Sequence, residues 1–144
     1  MRKILQNAFI GSAIALCVLA APAAAQDFKV IVNSANSTTD LPAAVASKLF
    51  LKETNKFPNG TAAVPVDLNK ASATRAAFSK AVIGRAVSAV ETYWQQQIFS
   101  GKEVPPAAKA SDDEVIAFVK ATPGAIGYVS ASANVAGVKV IDVK

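Results

Sequence analysis

Between Val64 and Phe78 the chain reads VPVDLNKASATRAAF, an apolar β-branched run that passes through a short polar turn straight into a helix-forming segment. A strand feeding a helix this closely must lay that helix back on a sheet, which points to an α/β fold and away from an all-helical or all-strand one. Ser72 stands where the helix begins, and Ser72, Thr74 and Arg75 fall in its first turn. A helix N-terminus carries unpaired N–H groups and the positive end of the macrodipole, so hydroxyls and a guanidinium there form a seat for an oxyanion. Serine is equally favoured at that position as a plain N-cap.

Elsewhere strand and helix patterns alternate. FKVIVN (28–33) reads as a strand, followed by the donor-rich loop SANSTTD, with Asp40 or Leu41 as the cap of a helix that has Pro42 in its first turn. Leu41, Val45 and Leu49 recur at helical spacing, and this helix is expected to stop near Thr54. NKFPNG is a turn, and the Ser72 helix is expected to bury Phe78, Ala81 and Val82 until Gly84 interrupts it. A longer helix follows over 87–99, with Val87, Val90, Trp94 and Ile98 on one face, and Pro105-Pro106 prevents a restart. Ser111 with Glu114 three residues on is a capping box for a helix whose stripe is Val115, Phe118 and Val119. AIGYV and VKVIDV read as closing strands. The expectation is a mixed sheet flanked by helices.

The N-terminus reads as an export signal: basic Arg2 and Lys3, an apolar run from Ala8 to Ala21, and small residues Ala23 to Ala25 before Gln26. Residues 1–25 are therefore expected to be cleaved, leaving 26–144 as one domain with no membrane span. Cys17 lies in the removed segment behind Leu16, a poor setting for lipidation, so the mature chain has neither cysteine nor disulfide. Without Arg2 and Lys3 the 15 basic residues fall to 13 against 10 acidic ones, a net charge of +3. Those cations are scattered and lack aromatic interleaving, which argues against nucleic acid as a partner. With no histidine and no mature cysteine, the commonest transition-metal ligands and His-based acid–base chemistry are absent. Neither an enzyme nor a metal or other cofactor is expected. Asp112, Asp113 and Glu114 read as favourable charges in a helix first turn, Tyr93 and Trp94 as core anchors, and Lys102 and Glu103 as solvated.

Four strings, VNSANSTTDLPAAVASKLFLKETNKFPNGTAAVPVDL, SATRAAF, YWQQQIFSGKEVPP and TPGAIGYV, resemble in order the substrate-binding proteins of phosphate ABC transporters, a branch of the periplasmic binding proteins. The resemblance implies a periplasmic-binding-protein-like domain, phosphate or a similar oxyanion as ligand, a periplasmic location and an ABC transporter membrane component as partner. Larger relatives are two-lobed and this chain resembles one lobe, so a dimer or a partner protein is expected to supply the second. The family's anion loop has an arginine, three variable positions, then Ser-Gly-Thr. Ser72 and Thr74 match the hydroxyl positions, Ala73 replaces the glycine, and Leu68 stands at the arginine's place beside Asp67. The expected ligand-binding set is Ser72, Thr74 and Arg75, with Lys70 nearby and Ser37 and Thr38 from the first loop. A protein-interaction module that kept the fold and lost high-affinity anion binding is the alternative, and Leu68 favours it.

Overall fold

The computed structural model describes residues 27–144, so the segment 1–25 expected to be an export signal lies outside the described residues. A six-stranded mixed sheet runs in the order β2-β6-β1-β5-β3-β4. Its strands are β1 (Phe28–Asn33), β2 (Asp40–Leu41), β3 (Val64–Leu68), β4 (Ala107–Lys109), β5 (Ala125–Ser130) and β6 (Val138–Val143). β1 is antiparallel to both β5 and β6, whereas β3 is parallel to β4 and β5. Among the described residues four α-helices accompany it: α1 (Ala43–Phe50), α2 (Ala73–Phe78), α3 (Val87–Phe99) and α4 (Asp112–Ala121). α2 continues without a break into a π-helical turn, Ser79–Ile83.

β5 shows how the layers form, because successive strand residues face opposite sides. Tyr128 meets Phe78 of α2 and Phe50 of α1 on one face. On the other, a Cβ at Gly127 would come within 2.7 Å of Val66 Cγ1 and 2.8 Å of Val115 Cγ1, so glycine lets α4 lie close on the sheet. The main core joins these layers around Ile31, Val66, Phe78, Val115 and Tyr128. α3 stands apart on a smaller cluster of Leu51, Val90 and Trp94.

Several elements differ from the sequence expectation. Asp40 and Leu41 pair with β6 as a short strand, and Pro42 itself becomes the N-cap of α1. α1 ends at Phe50, where Lys52 takes a left-handed φ of 54° that breaks the helix before Thr54. The widened π turn buries Ser79 with Phe78 and Val82 and leaves Ala81 outside. On α3 only Val90 and Trp94 of the expected stripe are buried, in a small cluster with Leu51; Val87 is half-buried and Ile98 is exposed. In α4 Ile116 joins Val115 and Val119 in the core, and Phe118 is half-buried under Lys109.

Candidate functional site

The end of β3 and the start of α2 are pinned by local hydrogen bonds. Ser72 N–H donates to Asn69 O at 3.0 Å, Ala71 N–H to Asn69 Oδ1 at 3.1 Å, and Arg75 N–H to Ser72 Oγ at 3.2 Å. Ser72 is thus an N-cap. The N–H groups of Ala73 and Thr74 have no acceptor among the described residues, nor does the half-buried Thr74 hydroxyl bond to one. Beside this turn runs an open groove of about 660 Å³, lined by Lys70, Ser72, Lys80, Arg85 and Ser88 with small apolar residues between them; Thr74 is not part of its lining. No carboxylate lines it, and none of its three cations joins an ion pair among the described residues. Gly84, at φ 75°, turns the chain so that Arg85 reaches the groove. Ser79 fixes that corner: its Oγ donates to Arg85 O at 2.6 Å and its carbonyl accepts from Arg85 N at 3.2 Å.

Arg75 faces elsewhere. It is buried, with Nη1 donating to Leu68 O at 3.1 Å and Nη2 lying 2.6 Å from Glu91 Oε1 and 3.5 Å from Asp67 Oδ2. These groups edge a second pocket of about 360 Å³ whose other wall is Trp94, Ile98 and Pro106. Leu68 is 3% exposed and belongs to the hydrophobic core, so the position of the family's arginine is here a packing position. The guanidinium at that strand end comes from Arg75, already shared between two carboxylates.

Asp67 accepts from Leu68 N–H at 2.9 Å and from the Tyr128 hydroxyl. Burial pushes its carboxyl above the ordinary value of 3.8, against the opposing pull of Arg75 and of those two hydrogen bonds. Burial first, and then the Asp67 charge, push the Tyr128 phenol up, so it stays a donor. From 3.8 up to the raised value, the folded chain keeps a proton that the unfolded chain has released. Stability from this group is therefore full below 3.8 and lost as pH rises through the raised value. Thermal melts should show the wild type gaining on Asp67→Asn as pH falls from neutral toward 3.8; a constant difference would remove Asp67 as the titrating group.

Ser37 and Thr38 lie at the other end of the sheet. Asn59 Nδ2 donates to Ser37 Oγ at 2.9 Å and to Thr38 Oγ1 at 3.3 Å, tying their loop to the segment that enters β3. β1 runs antiparallel to β5, and β5 parallel to β3, so the exit of β1 sits beside the entry of β3. The five-residue β3 separates that loop from Ser72 by about 15 Å at roughly 3.3 Å per residue, too far for both to hold one small ion. Strand-to-helix turns gather at one edge only when their strands are parallel.

Lys80, Arg85 and Ser88 are groove residues that the sequence reading did not single out. Ala73, Ala76 and Lys80 follow helical spacing, a signal that places Lys80 on the Ser72 face; Arg85 depends on the turn at Gly84. Other residues have structural partners. Trp94 is buried, Tyr93 Oη donates to Leu51 O at 2.9 Å, Asp112 Oδ2 accepts from Ser130 Oγ at 2.5 Å, and Glu114 accepts from Ala110 N–H at 2.9 Å. Lys102 is exposed, and Glu103 pairs with Lys52 at 3.5 Å on the surface. Among the described residues, no group of three or more acidic side chains is placed to hold a metal ion, and no helix is long and apolar enough to cross a membrane.

No family model matches the sequence, and no curated protein sequence matches it. The fold is shared with solved structures. An ABC-type phosphate transport receptor from Vibrio cholerae is 17% identical with a TM-score of 0.62, covering 81% of this chain and 46% of that one. A putative phosphate ABC transporter substrate-binding protein with bound phosphate from Clostridium perfringens is 19% identical, TM-score 0.60, covering 81% and 44%. PstS from Borrelia burgdorferi is 14% identical, TM-score 0.63, covering 82% and 47%. The chain thus has the α/β fold of these phosphate ABC transporter binding proteins while spanning less than half the length of each, an extent consistent with a single lobe.

Proposed function

We propose that the chain is a secreted periplasmic binding protein that captures phosphate or a similar oxyanion without covalent chemistry and passes it to an ABC transporter membrane component. The observation that carries this reading is the groove beside the start of α2, whose Lys70, Lys80 and Arg85 join no ion pair among the described residues and whose lining holds no carboxylate, next to the turn in which the Ala73 and Thr74 N–H groups find no acceptor among those residues. The fold it shares with phosphate ABC transporter proteins supports it. Ser72 contributes by capping the helix, and Thr74 contributes a hydroxyl. Lys70, Lys80 and Arg85 supply the charge that Arg75, held by Glu91 and Asp67, does not. An open groove leaves part of an anion's shell to water, so a second lobe from a dimer or partner protein completes the site.

Phosphate titration of protein purified after export tests this. Thr74→Ala should weaken binding about tenfold, the worth of one hydrogen bond to a charged group, while leaving the circular dichroism spectrum intact. Lys80→Ala with Arg85→Ala should weaken it further and flatten its salt dependence. If phosphate, sulfate and other oxyanions bind neither the wild type nor any variant, the capture reading fails. The interaction-module alternative, to which core-buried Leu68 belongs, then gains.

A further inference from the structure

We propose that the α2 groove takes a phosphomonoester, an oxyanion carrying a carbon skeleton, in preference to the bare ion. The inference rests on the oxyanion reading of that groove and names its ligand class. Its volume of about 660 Å³ falls in the range of roughly 300–1,000 Å³ typical of pockets that hold organic ligands. A free tetrahedral ion in the groove would leave most of that volume to water. The lining supplies two kinds of surface. Lys70, Lys80 and Arg85 edge the groove with positive charge, while Ala73, Ala76 and Ala86 line it with small apolar side chains that offer no hydrogen-bonding group. A charge paired with the cations and an apolar body resting on the alanines is the chemistry that uses both. The backbone at Arg85 is held in advance, because Ser79 bonds twice to it. Such preorganisation lowers the ordering cost of binding.

Calorimetric titration of the exported protein with phenyl phosphate, inorganic phosphate and phenol tests the idea. Phenyl phosphate should bind about tenfold tighter than inorganic phosphate, the gain expected from covering part of one aromatic ring, and phenol should not bind measurably. Ala76→Leu places a larger side chain in the groove at an exposed helical position where leucine is well tolerated. It should erase the phenyl advantage, so that the variant binds phenyl phosphate and inorganic phosphate with equal affinity; Ala73→Leu serves if the first variant does not fold. Equal affinity for the two phosphates, or a phenyl advantage that survives both leucine variants, overturns the ligand class while Thr74-dependent phosphate binding upholds the site. Binding of neither phosphate removes the oxyanion reading and this inference with it.

Discussion

Arg75→Ala should lower unfolding stability by about 1–3 kcal/mol, the range for leaving a buried hydrogen-bonding group without its partner. The residue is 7% exposed and donates to Glu91 at 2.6 Å and to the Leu68 carbonyl at 3.1 Å, with Asp67 as an ion-pair neighbour at 3.5 Å. Its loss leaves the Leu68 carbonyl without that donor and removes the cation that opposes desolvation of Asp67, whose proton is then held still more tightly. It also cuts a tie to α3, which otherwise rests on the small Leu51, Val90 and Trp94 cluster and the Tyr93 bond to Leu51. Urea denaturation of wild type, Arg75→Ala and Arg75→Ala with Asp67→Asn checks this. The double variant should recover part of the loss, because it no longer buries an unpaired acid. A single variant within about 0.5 kcal/mol of wild type would show that the network holds nothing together.

That expectation changes how a binding defect at Arg75 must be read. A guanidinium in the first turn of a helix looks like a ligand group when only the neighbours Ser72 and Thr74 are in view. Its partners are Asp67, eight residues before it, and Glu91, sixteen residues after it on another helix. Local chemistry was legible where partners are local. The caps at Ser72 and Ser111, the strands FKVIVN and VKVIDV, and helix 87–99 all appear where their residues placed them. Features made by distant pairing were not. AAK is a strand only because β3 lies beside it, and DL only because β6 does. The separation of Ser37 and Thr38 from Ser72 has the same origin, since strand direction is a property of the assembled sheet.

Phe78→Ala should cost about 3–5 kcal/mol for the truncation itself, before any loss of ring–ring contacts worth roughly 0.5–1.5 kcal/mol is added. Phe78 is 1% exposed and stacks on Tyr128 at 3.9 Å with the rings 5° from parallel. It also meets Phe50 edge-on at 4.7 Å and Phe28 at 5.4 Å. One side chain thereby fastens the C-terminal turn of α2 to α1, β1 and β5, and so holds the orientation of the helix start that faces the groove. Phe78→Leu keeps most of the volume and should lose far less. The stack also steadies Tyr128, whose hydroxyl donates to Asp67, so the aromatic cluster and the Arg75 network share a member. Phe78→Ala and Arg75→Ala should therefore be non-additive in a double-mutant cycle, with a coupling above the roughly 0.3–0.5 kcal/mol seen between independent sites. Additive losses would mean that the helix is anchored twice over, by a core that does not transmit to the buried charges beside it.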